Sequence, residues 1–306
     1  MKKYPIKDKS LAIQVDKKKV FKYPTSENLP ALTQMIVAIA CRGSGKNIFF
    51  QNLMRLYKAD NNCDKIIVIS PTFSSNRMLM DELSVTDDAV FDPEDKDVME
   101  KLNEYLQKMA DDYQQYINDL RDYEKTMYII KQSSKDISNI DPYLLMKLNN
   151  NGFEKPTYEY SQEPRLHLLV DDCQSTSLFG NKKFLNLCIR NRHTPSYDKN
   201  FINIDGTKGG ALQVSIYLLC QNFSAQHQGL PRSIRNNATS YAIWKCRDEK
   251  ELENIYKSVS GECSFEEFMK IYNYCTNEKH SFMFIDLFPK KEHYKYRKNL
   301  NEYVSL

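Results

Sequence analysis

The chain has 306 residues, 41% hydrophobic and 27% charged, with a net charge of +3. That length suits one large α/β domain or two small ones, and the composition is that of an ordinary globular protein. It contains no run of about 18 apolar residues that would span a membrane, its Met1-Lys2-Lys3-Tyr4-Pro5 start lacks the apolar core of a secretory signal, and so small a net charge does not by itself identify a polyanion partner.

Residues 1–30 read as a basic segment: within 1–22, Lys2, Lys3, Lys7, Lys9, Lys17, Lys18, Lys19 and Lys22 stand against Asp8 and Asp16. A short hairpin over 11–15 and 20–23 is expected inside it. Met35–Ala40 is an unbroken apolar run, the pattern of a strand buried on both faces. It leads directly into Cys41-Arg42-Gly43-Ser44-Gly45-Lys46-Asn47-Ile48. Glycines at these places let the backbone wrap closely round a phosphate. Lys46 adds a point charge, and a helix starting near Asn47 turns its positive end toward the anion. Residues Arg42 to Ile48 are therefore the expected ATP-binding segment. Two departures from GxxxxGK[ST] stand out: Ala40 replaces the first glycine, and Asn47 replaces the Ser or Thr that reaches magnesium. An amide oxygen is still a hard ligand, so Asn47 remains a candidate Mg²⁺ contact.

Lys65–Ser70 is a second buried strand, followed by a helix over about 75–83 and a short strand at Ala89–Asp92. From Asp97 to Lys131, apolar and tyrosine side chains fall three and four apart without Pro or Gly, which predicts one long amphipathic helix. A short helix at Pro142–Asn149 is expected to pack back on it. Residues 93–161 thus read as a helical insertion, whose tyrosine stripe is either a packing seam or a subunit or capsid contact. Leu166–Asp172 returns to the buried-strand pattern, then a helix over Asn181–Arg190 and a loop over 194–210. Strands at Leu212–Cys220 and Thr239–Cys246, helices at Asp248–Ser258 and Ser264–Tyr274, and a final strand at Ser281–Asp286 complete the series. A basic C-terminal tail, 287–306, mixes Lys290, Lys291, Lys295, Arg297 and Lys298 with Tyr294 and Tyr296. Basic ends with aromatics suit a polyanion, or are simply solvated. Strands alternating with helices predict a mostly parallel sheet flanked by helices, in a single P-loop NTPase domain over 1–306.

The eight cysteines form no C-x-x-C pair, and Cys188, Cys220 and Cys246 lie in apolar runs. Buried thiols in a reducing compartment are the simple expectation.

Arg165-Leu166-His167-Leu168-Leu169-Val170-Asp171-Asp172 is the second chemical signal. A buried strand ending in two acids, downstream of a phosphate loop, is a Walker B pattern. One carboxylate at the strand end (Asp171) holds the magnesium shell; the next (Asp172) polarises the attacking water. Gln221 ends the strand after Val214. It would face the γ-phosphate if that strand lies between the other two. Arg190 and Arg192, and more distantly Arg235, are candidates for an arginine supplied to a neighbouring subunit's site.

The order of these parts resembles the FtsK/HerA superfamily, and within it the poxvirus-type genome-packaging ATPases of large DNA viruses, virophages and polinton-like elements. The resemblance rests on the phosphate loop, the strand ending in Asp171-Asp172, Arg190-Asn191-Arg192-His193, the strand ending in Cys220-Gln221-Asn222, and Leu230-Pro231-Arg232-Ser233-Ile234-Arg235-Asn236-Asn237. It covers about residues 30–260. It implies a double-stranded DNA translocase that acts as a ring of five or six copies, uses ATP and Mg²⁺, and loads genomes into preformed capsids. It also implies capsid proteins as partners, no membrane, and a place in the host cytoplasm (viral factory) and the virion. The basic, glycine-bearing loop Lys199–Gly210 is a candidate DNA-facing loop. Asn47 motivates the alternative of a nucleotide-binding scaffold that turns over weakly or not at all; a helicase of the same superfamily is a third reading.

Overall fold

Five strands are buried on both faces from end to end, as their largely apolar sequences favour: β1 (Met35–Ile39), β4 (Leu166–Asp171), β5 (Val214–Cys220), β6 (Ser240–Trp244) and β7 (Phe282–Asp286). The computed structural model describes residues 22–72, 81–132, 138, 141–150, 152–160, 162–224, 229–259 and 263–305. The hairpin expected at 11–15 and 20–23, most of the helix expected at 75–83 and the lysines before Lys22 lie outside the described residues.

With β2 (Lys65–Ile69), β3 (Val90–Phe91), β8 (Tyr296–Lys298) and β9 (Glu302–Val304), the strands form one sheet in the order β3-β2-β4-β5-β1-β6-β7-β8-β9. The six from β3 to β6 run parallel; β7, β8 and β9 continue antiparallel. The fold is thus the α/β P-loop arrangement, a mostly parallel sheet with helices on both faces. Alternate residues of each strand feed opposite layers. Ile36 and Ala38 join Phe49, Phe50, Leu53 and Tyr57 of α1 (Lys46–Ala59) on one face; Met35, Val37 and Ile39 join the core of the other.

The long helix, α2 (Val98–Gln132), is present, followed by α3 (Pro142–Asn150). Its N-terminal half is not peripheral. Val98, Met99, Leu102, Leu106, Ala110, Tyr113 and Ile117 are buried in the second core layer. The tyrosine stripe is a packing seam: Tyr113 and Tyr116 lie against Tyr158, and Tyr113 also against Tyr197 and Phe201. Further helices are α4 (Lys182–Arg190), α5 (Arg232–Asn237), α6 (Glu249–Val259) and α7 (Phe265–Cys275). Ser264 and Glu267 form a capping box at the start of α7, satisfying two otherwise unpaired backbone donors.

The C-terminal expectation needs correction. β7 is not the last strand, and 287–306 is not a simple tail, because β8 and β9 extend the sheet. Its cations engage the chain itself. Lys290 donates to Thr25 and Ser26, Lys291 pairs with Glu27, Arg297 donates to the Asn28 carbonyl, and Lys298 reaches Glu278 at 2.6 Å. The eight cysteines are free thiols; Cys188 and Cys220 are buried, whereas Cys246 is only half-buried. No helix among the described residues is long and apolar enough to cross a membrane.

Candidate active site

β5 lies between β4 and β1, the condition on which the reading of Gln221 depended. Asp171 is in register with Leu219, Ile39 with Cys220, and the Ala40 amide donates to the Cys220 carbonyl at 3.0 Å. The C-terminal ends of the three strands are therefore level. Two strand spacings, about 10 Å, separate the phosphate-loop strand from the acid-bearing one. Such a crevice at the carboxyl ends of parallel strands is where open α/β sheets bind ligands.

The loop after β1 depends on its glycines. Gly43 and Gly45 have φ of 78° and 100°, in the left-handed region that side chains disfavour. Gly45 sits at the N-cap of α1, with no side-chain cap there, so the first amides of α1 point toward the crevice. Lys46 is 8% exposed and donates to the Ala40 carbonyl at 2.7 Å and the Cys41 carbonyl at 3.4 Å. Asn47 and Asp171 both line the crevice. Burial, and secondarily the neighbouring Asp172, push the Asp171 carboxyl up to about 6; Lys46 and Asn47 oppose the shift.

Asp172 is exposed, and its backbone has a φ of 54°. Its Oδ1 accepts from Gln221 Nε2 at 3.3 Å. Gln174, which the sequence reading missed, ties the two strand ends together. Its side-chain oxygen accepts from the Gln221 amide and, at 3.0 Å, from the Asn222 amide, while its Nε2 donates to the Asn222 carbonyl at 2.7 Å.

Lys46, Asn47, Asp171, Asp172 and Gln221 thus meet at one cavity of about 1300 Å³, with Arg42, Gly43, Ser44, Gly45 and Ile48 in its wall. The sequence reading also missed Trp244 and two turns, Glu278–Phe282 and Asn299–Asn301, that close the far side. A hairpin signal was available: Tyr296–Lys298 and Glu302–Val304 flank a turn containing Asn299, and asparagine tolerates that residue's φ of 55°.

Arg190 and Arg192 do not join this cavity. The intervening Asn191 side chain donates to the carbonyls of Val214 and Gln34, at the N-terminal ends of β5 and β1. Both arginines are exposed near that opposite edge of the sheet. Arg235 is half-buried and lies 5.1 Å from the centre of the Phe223 ring. The Lys199–Gly210 loop forms an irregular hairpin closed by the bridges Ser196–Ala211 and Ile202–Lys208. It leads into the N-terminal end of β5, roughly 20 Å along that seven-residue strand from the cavity edge.

No family model and no curated protein matches the sequence. Among solved structures, the chain is similar to the genome packaging NTPase B204 from Sulfolobus turreted icosahedral virus 2 in complex with ATP-gammaS. The identity is 13% and the TM-score 0.43, over 84% of this chain and 94% of that one. It is also similar to EssC (ATPases 2 and 3) from Geobacillus thermodenitrificans, at 11% identity and a TM-score of 0.43, over 83% of this chain and 37% of that one. VirB4 of Thermoanaerobacter pseudethanolicus is similar at 14% identity and a TM-score of 0.39, over 83% of this chain and 86% of that one.

Proposed function

We propose that this protein is an ATPase that translocates double-stranded DNA, packaging a viral genome into preformed capsids as a ring of five or six copies. The observation that carries the ATPase part is the meeting of Lys46, Asn47, Asp171, Asp172 and Gln221 at one edge of the sheet, from segments far apart in the chain. The DNA and capsid parts rest on the resemblance of the motifs.

Each residue has a role in this reading. The amides of 43–47 and Lys46 hold the phosphates. Asn47 and Asp171 hold Mg²⁺, and their chemistry fits it: adjacent carboxylates and a carboxamide oxygen are hard donors, and a divalent cation offsets the cost of ionising buried Asp171. Mg²⁺ supplies neutralisation of the charge that develops on the phosphates. Asp172 accepts a proton from, and orients, the attacking water, and Gln221, held against Asp172, fixes that carboxylate's direction. Arg190 or Arg192 acts on a neighbouring copy, because each lies away from the cavity of its own chain. The exposed Lys199 and Lys208 of the 199–210 loop contact DNA phosphates.

Steady-state ATP hydrolysis with Mg²⁺, with and without double-stranded DNA, tests the proposal. Turnover stimulated by DNA and abolished by Lys46→Ala is expected, with DNA binding that weakens steeply as salt rises. Hydrolysis indifferent to Lys46→Ala would remove the ATPase reading, and salt-independent binding the DNA contact. Asn47 favours a second reading, a nucleotide-binding scaffold. If the natural chain binds ATP without turnover and Asn47→Thr creates turnover, the scaffold reading replaces the motor.

A further inference from the structure

The phosphate loop is touched from outside the motifs that define it. His280, 236 residues along the chain from Ser44, places its ring Nδ1 3.3 Å from the Ser44 carbonyl. A carbonyl oxygen only accepts, so Nδ1 carries the proton and donates. The ring also stands against the next residue of the loop. A Cβ built on Gly45 would lie 3.9 Å from both Cβ and Nδ1 of His280.

The loop has few other means of fixing this peptide group. Gly43 and Gly45 flank Ser44 with φ of 78° and 100°, and glycine moves between backbone regions at little cost. The peptide between Ser44 and Gly45 is therefore easily rotated. The helix does not hold it. The first carbonyl of the α1 ladder is that of Gly45, which accepts from the Phe49 amide at 2.9 Å, and the Ser44 carbonyl lies one residue outside. In a trans peptide the carbonyl and the following N–H point in opposite directions. A Ser44 carbonyl held toward His280 thus turns the Gly45 N–H to the other side of the loop.

His280 is itself held. It sits in the turn between α7 and β7, in the left-handed region at φ 67°. Its carbonyl accepts from Trp244 Nε1 at 3.2 Å, and Trp244, 2% exposed, ends β6, the neighbour of β1 in the sheet. Within the turn, the Ser281 amide and Oγ both donate to the Glu278 carbonyl, at 3.2 Å and 2.8 Å. His280 is exposed and lines the cavity wall beside the loop, so its ring serves the loop and not the core.

We infer that His280 is a positioning residue of the phosphate loop: by holding the Ser44 carbonyl, it keeps the Gly45 amide in the orientation that receives phosphate oxygens. This deepens the proposed nucleotide reading and rests on it. It gives the antiparallel extension of the sheet a part in anion binding that the phosphate-loop pattern does not contain.

Equilibrium binding of MgATP and of magnesium tripolyphosphate to the full chain tests this in the natural protein, His280→Gly and His280→Asn. Glycine adopts φ 67° without strain and removes the ring. Asparagine also tolerates that φ and carries an N–H donor at the place of Nδ1. His280→Gly is expected to weaken both ligands by the same factor, about fivefold, the contribution of one hydrogen bond. His280→Asn should stay within about twofold of the natural chain. Rescue by the donor is a readout that mere support of the turn would not give. Melting midpoints within about 2 °C of the natural chain are expected for both variants, as for other exposed substitutions. The affinities are compared between the two variants, so a midpoint shift common to both leaves the comparison intact. Unchanged affinity in His280→Gly, an equal loss in His280→Asn, or a loss confined to MgATP overturns the inference and leaves the phosphate loop in place. Failure of the natural chain to bind either ligand overturns the nucleotide reading itself, and this inference with it.

Discussion

Asn47 and Asp171 line the same crevice, and the Asn47 carboxamide favours the ionised form of the Asp171 carboxyl. One residue follows the phosphate-loop lysine and the other ends a strand two places away in the sheet. The residue that departs from the usual phosphate-loop pattern thus lies in the same crevice as the carboxylate it must cooperate with. Asn47→Ala removes both the carboxamide oxygen and its influence on Asp171. It is expected to weaken Mg²⁺-dependent ATP binding about 10- to 100-fold, as loss of a group that orients a metal-binding carboxylate does. Asn47→Thr restores a hydroxyl and should hold affinity near the natural level. Calorimetric titration of ATP at several Mg²⁺ concentrations measures both, and an unchanged Mg²⁺ dependence in Asn47→Ala would remove Asn47 from the metal site.

Asp172 lies in the left-handed backbone region at φ 54°. Asparagine tolerates that conformation nearly as well as aspartate, so Asp172→Asn preserves the turn and removes only the basic oxygen. In the proposed mechanism kcat falls about 10²- to 10⁴-fold, the usual worth of a positioned proton acceptor, while ATP affinity is retained. Gln221→Ala releases the Asp172 carboxylate from its 3.3 Å hydrogen bond and should lower kcat by a smaller factor, again with little effect on binding. A loss that appeared in ATP affinity and not in kcat would make Asp172 a binding group.

The two ends of this chemistry were legible in the sequence because they depend on local pattern. A continuous apolar strand running into Gly43-Ser44-Gly45-Lys46, and another ending in Asp171-Asp172, each announce their own place at a sheet edge. What was not legible depends on tertiary contacts. Asn191 anchors the Arg190–His193 turn to the opposite edge through the Val214 and Gln34 carbonyls, and nothing in Arg190-Asn191-Arg192 signals that. The three-residue strands β8 and β9 are too short to show a period. The lysines from 290 to 298 resembled a tail because charge alone does not reveal that Lys290 and Lys298 find partners within the chain. Nor did the spacing of α2 reveal which of its turns lie under the sheet.

His167 and Asp171 occupy the same strand and impose opposite pH dependences on stability. Burial lowers His167 to about 4, with its ring between Tyr217 Oη at 2.7 Å and the Asn62 carbonyl at 2.8 Å. The unfolded chain takes up that proton near the ordinary 6.5, so the stability His167 allows is full above that value and falls as pH drops toward 4. Asp171 is raised from 3.8 to about 6. Between those values the folded state holds a proton the unfolded state has released, so stability falls as pH rises through the window and stays lower above it. Each effect is of order 3 kcal/mol at full extent. In a metal-free buffer at neutral pH, Asp171→Asn should therefore be the more stable protein, with the advantage shrinking toward pH 4. It should also uncover the acid-side slope of His167. Urea midpoints across this range decide it, and a constant difference between variant and parent would contradict the sign of the Asp171 shift.

The placement of α2 makes a final prediction that separates an added element from a structural layer. Leu102 and Leu106 are fully buried beneath the sheet, whereas Tyr128, farther along the same helix, is 64% exposed. Leu106→Ala removes buried methyl and methylene groups from a close-packed layer and should cost about 2–5 kcal/mol. Tyr128→Ala should stay within about 0.5 kcal/mol. An appended helix would show neither the contrast nor the magnitude. By the same reasoning, excising 93–161 strips Leu102, Leu106, Ala110 and Tyr113 from the core layer on that face of the sheet, so the shortened chain should fail to fold. A shortened chain with a cooperative melt and retained ATP binding would show that the sheet is covered without α2.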